Sequence, residues 1–193
     1  IMQKGLRMIG QGMHGFVGNN DLTFDDLDSA LQKPTDLRIF AIADALQKGY
    51  TVERIEELTK IDKWFLGKLK NIVDYTKVLS QYNKIEEIPA DVLAEAKRLG
   101  FSDFQIARYS ENPKGNMEQE SLRVRSLRKE LNILPKLRRI NTIASENPEK
   151  TNYLYMTYGN VENYVPQKSE KQSVVVLGSG AYRIGSSVEF DWC

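Results

Sequence analysis

The chain has one cysteine and one histidine in 193 residues. A single thiol, Cys193, excludes an internal disulfide framework and suits a reducing compartment. A single imidazole, His14, excludes a multi-histidine metal site, and no Ser/His/Asp triad can be built around it. No apolar run approaches the ~18 residues that span a bilayer, and the first residues lack the charged and apolar regions of a secretory leader. An excess of one charge is also missing. The 27 basic and 26 acidic side chains leave a formal net charge of +1, so the chain as a whole carries no footprint for a polyanion. The remaining balance, 41% hydrophobic and 27% charged, is that of a globular chain long enough for one or two real cores.

Helical periodicity dominates the first two thirds. Gln3 to Ile9 reads as the last turns of a helix with Leu6, Ile9 and Met2 on one side. Gly10, Gly12, Gly15 and Gly18 then disfavour helix by about 1 kcal/mol each and suggest a linker, tacked down by Met13, Phe16 and Val17. Leu27, Ala30 and Leu31 begin a helix that Pro34 breaks. Thr35 is placed to cap Asp36 to Lys48, with Leu37, Phe40, Ala41 and Ala45 inward, and Gly49 ends it. Thr51 caps a short helix to Thr59, and Asp62 caps a long one to about Tyr82. Phe65, Leu66, Leu69, Ile72, Val73, Thr76 and Leu79 form the stripe of that long helix. Pro89 opens a helix over 90–99 whose inward side is Val92, Leu93, Ala96 and Leu99. Gly100 closes it and Ser102 caps the next, to Tyr109. Residues 110–120 read as an exposed polar loop. A further helix to about Leu131 uses Leu122, Leu127 and Leu131. Beyond Pro135 the helical signal fades. Asn152 to Tyr158 suits a strand, 162–172 a loop, and Val174 to Leu177 a strand entering a glycine turn.

One pattern occurs twice. Gly49-Tyr50-Thr51 with Ile55 matches Gly100-Phe101-Ser102 with Ile106. Each copy is a helix-ending glycine, an aromatic, a hydroxyl N-cap and an apolar anchor four residues on. Two related helical subdomains are expected.

Candidates for chemistry are few. Gly178 and Gly180 follow a strand as in a dinucleotide fingerprint, but the third glycine position holds Arg183, and the tight packing that glycine permits is lost. The turn reads either as backbone geometry alone or as an anion site. Arg123, Arg125, Arg128, Lys129, Lys136, Arg138 and Arg139 read either as a solvated face or as part of a helix-turn-helix nucleic-acid reader. Trp64 and Phe65 read as a core anchor, with Phe65 worth about 1.5–3 kcal/mol if buried. Glu189 and Asp191 form a weak acidic pair. The helical stretch offers packing surfaces rather than a catalytic set.

Several runs point to a family. QKGLRM (Gln3 to Met8), ELTKIDKWFL (Glu57 to Leu66), GFSDFQIA (Gly100 to Ala107), TNYLYMTY (Thr151 to Tyr158) and VLGSGAYRIGSSVEFDWC (Val176 to Cys193) resemble, in this order, the large subunit of carbamoyl-phosphate synthetase. The stretch is similar to its middle: residues 1–20 to the tail of the first ATP-grasp half and a linker, 21–165 to the helical oligomerisation domain, and 172–193 to the start of the second half, a pre-ATP-grasp α/β domain. The SSVEFDWC ending resembles eukaryotic members, with a fungal arginine-pathway chain favoured over the multifunctional pyrimidine enzyme.

The resemblance implies a mainly α fold of two small helical subdomains with a short strand-containing C-terminal segment. It implies a parent ligase that makes carbamoyl phosphate from bicarbonate, glutamine-derived ammonia and two ATP, with Mg²⁺ or Mn²⁺. Its partners would be the two ATP-grasp halves, a glutaminase subunit or domain, and a second copy, with neither nucleic acid nor membrane. Glu189, Arg183 and Ser187 would line the side of a carbamate tunnel. The fragment itself would hold no cofactor, metal or catalytic residue. Its location would be intracellular, in cytoplasm or mitochondrion. Two departures from the family pattern are Ser187, where bacterial members often carry glycine, and a longer loop over 110–120.

Overall fold

The computed structural model describes residues 1–8, 12–19, 22–111, 116–139, 154–159, 163–165, 172 and 174, with Glu111 given by its backbone alone. Eight helices and two strands occur among them: α1 (Met2–Met8), α2 (Leu27–Gln32), α3 (Arg38–Gln47), α4 (Val52–Thr59), α5 (Lys63–Leu79), α6 (Ala90–Arg98), α7 (Asp103–Glu111), α8 (Met117–Glu130), β1 (Lys136–Arg139) and β2 (Leu154–Thr157). The chain divides into two compact units, Ile1–Asn132 and Ile133–Cys193. The fold is mainly helical, as read from the sequence.

Within the first unit, α2, α3, α4 and α5 pack on one another, while α7 packs on α8 and on a 3-10 turn at Ile85–Glu87. Helix α5 touches α3 and α4 as well as α7, so it is the wall shared by both bundles. Its seventeen residues carry the stripe Leu66, Leu69, Ile72, Val73, Thr76 and Leu79, all buried at helical spacing. Helix α3 buries nearly its whole circumference, adding Ile42, Ala43 and Leu46 to the expected Phe40, Ala41 and Ala45.

Several local readings need correction. Thr35 does not cap α3. Its carbonyl accepts from Arg38 N–H in a backbone turn, and the helix starts at Arg38 without a side-chain cap. The inward residue of α1 is Gln3, while Met2 is exposed and Leu6 partly so; Ile9 lies outside the described residues. Helix α8 turns Val124 inward and leaves Leu122 at 55% exposure, because its inward line runs through Val124, Leu127 and Arg128. The polar run 110–120 is no single loop. Ser110 and Glu111 belong to α7, and residues from Met117 onward to α8. Asn116 caps α8 by accepting from Glu118 N–H at 2.9 Å.

In the second unit, β1 and β2 pair antiparallel, with Lys136 opposite Thr157 and Arg139 opposite Leu154. β2 lies inside the strand expected over 152–158. β1 was hidden because Lys-Leu-Arg-Arg has little strand propensity. Tyr164 N–H donates to the Leu137 carbonyl at 2.9 Å, and Asn163 Oδ1 accepts from Leu137 N–H at 2.8 Å, which ties 163–164 to β1.

Candidate functional site

The repeated corner is real in geometry. After α3, Gly49 N–H donates to the Leu46 carbonyl and Tyr50 N–H to that of Ala45. After α6, Gly100 N–H donates to the Lys97 carbonyl and Phe101 N–H to that of Ala96. Both are Schellman closures, and both glycines sit at φ +89°, where an L side chain is strained. Thr51 Oγ1 then accepts from Arg54 N–H, and Ser102 Oγ from Gln105 N–H, each at 3.1 Å. Ile55 and Ile106 are fully buried at equivalent positions.

The second corner carries more. Gln105 completes a capping box, since its Oε1 accepts from Ser102 N–H at 3.0 Å. The same side chain is fully buried and reaches the N-terminal segment. Its Nε2 donates to Gln3 Oε1 at 2.9 Å and to the Val17 carbonyl at 2.7 Å. Gln3 Oε1 also accepts from Phe16 N–H at 3.1 Å. Gln3 is 1% exposed, and among the described residues its Nε2 is the buried side-chain nitrogen without a hydrogen-bond partner. Arg7 donates to Gln105 Oε1 and to the Gly100 carbonyl, both at 3.1 Å. Burial lowers the Arg7 pKa, and the Asp103 charge opposes that shift.

Glycine makes this close approach feasible. A Cβ on Gly15, at φ +138°, would lie 2.6 Å from Gln3 Oε1 and 2.9 Å from Gln105 Nε2. The loop is closed by Asn19, which accepts from His14 N–H and donates to the Gly15 carbonyl, both at 2.8 Å. Phe16 and Val17 are buried in the core. The His14 ring stacks on Phe104 at 4.2 Å, with the Arg108 guanidinium 5.0 Å from the same phenyl ring. Beside this seam, Lys97 Nζ donates to the Phe101 carbonyl and to Asp103 Oδ1, both at 2.8 Å. Arg128 Nε also reaches the Asp103 carboxylate, at 3.0 Å. Desolvation lowers the Lys97 pKa against the pull of Asp103.

The first corner is open by contrast. Arg54 replaces the glutamine and pairs with Asp28 at 2.6 Å and Glu57 at 2.9 Å, and the Tyr50 hydroxyl donates to Asp28 at 3.0 Å, all in contact with solvent. Pairs of this kind contribute little.

Phe65 is not a core anchor. Trp64 and Phe65 are 62% and 58% exposed. Asp62 caps α5 as expected, accepting from Trp64 N–H at 2.8 Å, and that cap directs both rings outside the buried stripe. Arg123 is paired with Glu86 and Glu120, and Arg128 with Asp103, so these two cations serve packing within the helical unit. In the second unit, Arg139 lies 4.8 Å over the Tyr164 ring and donates to its hydroxyl. No group of His, Cys, Asp and Glu that could hold a metal occurs among the described residues, and no helix among them is long and apolar enough to cross a membrane. Arg183, Ser187 and Glu189, the glycine turn at Gly178 and Gly180, and Cys193 lie outside the described residues, as does most of the strand expected from Val174.

The buried glutamines were not read from the sequence as a site. A signal was present, since Ser102 with Gln105 has capping-box spacing, but nothing local showed that Gln105 would also meet Gln3, 102 positions away.

Comparison with known proteins adds two family matches. The oligomerisation-domain model of the carbamoyl-phosphate synthetase large chain matches residues 1–132, ending where the first compact unit ends. The carbamoyl phosphate synthase preATP-grasp domain model matches residues 170–193. The chain is 50% identical to the multifunctional protein CAD of Squalus acanthias, over 99% of the chain and 8% of that protein. It is 47% identical to the arginine-specific carbamoyl phosphate synthase large chain of Eremothecium gossypii, over 99% of the chain and 16% of that protein. It is 46% identical to the multifunctional protein URA2 of Saccharomyces cerevisiae, over 100% of the chain and 8% of that protein. The chain therefore spans between 8% and 16% of the length of these relatives.

Proposed function

Because this chain belongs to the carbamoyl-phosphate synthetase large-chain family, and matches its oligomerisation domain, we propose that it acts as the stiff connector between two ATP-grasp synthetase halves. Residues 1–20 arrive from the preceding half and residues 172–193 lead into the next. The parent polypeptide makes carbamoyl phosphate from bicarbonate, glutamine-derived ammonia and two ATP, using Mg²⁺ or Mn²⁺ held by the halves, for arginine or pyrimidine synthesis. A glutaminase subunit or domain supplies the ammonia. Glu189, Arg183 and Ser187 flank the carbamate tunnel. The helical unit also contributes to self-association, and the parent resides in cytoplasm or mitochondrion.

One observation carries the connector reading. Gln3 Oε1, near the start of the chain, accepts buried hydrogen bonds from Gln105 Nε2 in the second helical bundle and from Phe16 N–H in its own segment. A densely packed helical block with its entry segment locked in place transmits position rather than absorbing it. The test is Gln3→Ala in the complete polypeptide, with circular dichroism to verify that the helices persist. Overall carbamoyl phosphate formation should fall several-fold while the ATP-dependent partial reaction of each half continues. Equal loss of overall and partial reactions, or no change in either, would show that the seam does not couple the halves.

A further inference from the structure

The aromatic pair at the start of α5 takes no part in the seam. Trp64 and Phe65 meet edge to face, with centroids 5.0 Å apart and planes at 89°. The Lys68 ammonium lies 5.1 Å from the indole centroid, and the Asp62 cap holds the first turn of the helix. Isolated exposed apolar side chains are ordinary on protein surfaces. Two adjacent large rings on one capped helical turn form a preorganised anchor, which loses little freedom on docking. Around them stand exposed Lys60, at φ 59°, Lys63, 3.5 Å from Glu56, and Lys68, with Asp62 occupied as the cap.

We propose that Trp64 and Phe65 seat the helical unit on a neighbouring domain of the same polypeptide, in an apolar pocket with a carboxylate at its rim to receive Lys68. This rests on the connector reading and names the contact by which the connector is held. Two arguments select the occupant. The first is area. At their observed exposure the two rings offer roughly 250 Å² of accessible surface. A stable association of separate molecules takes roughly 800 Å² from each partner. A tethered neighbour experiences an effective concentration on the order of millimolar, so a contact of this size is enough to hold it. The second is length. In relatives 46% to 50% identical over essentially this whole chain, the matched stretch is 8% to 16% of the protein, so most of the polypeptide is available to supply the pocket.

The test is hydroxyl-radical footprinting of the complete polypeptide, native against urea-unfolded, read by mass spectrometry at Trp64 and Phe65. Both should be protected about tenfold or more in the native state, at a level that does not change on hundredfold dilution. Oxidation at the unfolded rate overturns the proposal. Protection that disappears on dilution also overturns it, and assigns the patch to a second copy. A Trp64→Ser, Phe65→Ser double variant adds a second readout. It should raise the limited-proteolysis rate of the complete polypeptide several-fold while the partial reactions continue, and an unchanged rate counts against the proposal. Loss of coupling in Gln3→Ala without protection at Trp64 would leave the connector reading standing and this contact refuted.

Discussion

The two glycine corners share a backbone and differ in what surrounds it. Gly49 and Gly100 have the same φ and the same pair of closing hydrogen bonds, and each precedes a hydroxyl cap and a buried isoleucine. At the first corner the third helical residue is Arg54, whose partners are exposed carboxylates. At the second it is Gln105, sealed beneath the N-terminal segment. Local sequence thus specifies the turn, and one side chain decides whether the corner is a surface or a socket. The second holds another part of the chain in place, because Gln105 Nε2 donates to Gln3 and to the Val17 carbonyl of the N-terminal segment.

The comparison can be broken at its base by truncating both anchors. Ile55→Ala and Ile106→Ala should each destabilise the first unit by about 2–5 kcal/mol in chemical denaturation. A large asymmetry between them would mean that the corners are not equivalent in the core. The sharper contrast lies one residue earlier. Gln105→Leu takes one hydrogen-bond partner each from Gln3, Arg7, Ser102 N–H and the Val17 carbonyl and should cost about 2–4 kcal/mol. Arg54→Leu should leave the melting temperature essentially unchanged. Similar shifts for the two would remove the distinction between socket and surface.

Glycine substitution gives a smaller effect. Gly49→Ala meets nothing within 4 Å and should show only the left-handed penalty, about 1–2 kcal/mol. Gly100→Ala adds a Cβ 3.2 Å from Gln3 Cβ and should be worse by a measurable increment. That increment should vanish in a Gln3→Gly background; if it persists, the contact is not its source.

The smallest effect is alkaline. Burial raises the Tyr75 pKa to about 12, with Glu95 and Asp91 adding to the shift. Tyr75 packs 6.1 Å from Phe101 at the second corner. Below the unfolded-state value near 10 its contribution is fully present, and it is lost as pH rises through 10 toward 12. Lys97 acts with the opposite sign. Its lowered pKa means that the unfolded chain holds the proton more tightly, so stability rises with pH between the folded value and about 10.4. Tyr75→Phe should therefore flatten the decline above pH 10 in a stability–pH profile. Tyr50, raised by its hydrogen bond to Asp28 but open to solvent, should matter less when changed to Phe. The reverse order would place the alkaline sensitivity at the first corner.

Much of the helical unit was legible because its signals are local. Asp62, Thr51 and Ser102 cap where expected, Gly49 and Gly100 terminate, and the stripe of α5 from Leu66 to Leu79 is the buried one. The misreadings have one cause. Phe65, Leu122 and Leu6 are apolar and close to a plausible stripe, yet Leu66, Val124 and Gln3 are the residues turned inward. Successive helical residues are roughly 100° apart, so apolar side chains at the edge of a stripe are easily taken for its centre, and hydrophobicity alone does not mark a polar residue such as Gln3 as the inward one.

By itself the amino-acid sequence determined the order of helices, their caps and stops, the duplicated corner and the family, since each is written in residues a few positions apart or in contiguous runs. Tertiary structure alone decided where the glycine-rich segment docks, that two glutamines 102 positions apart form its fastening, and that Trp64 and Phe65 face outward. Caps and turns are governed by bonds within one helical turn. Burial and the pairing of distant polar groups depend on which surfaces meet once the whole unit has closed.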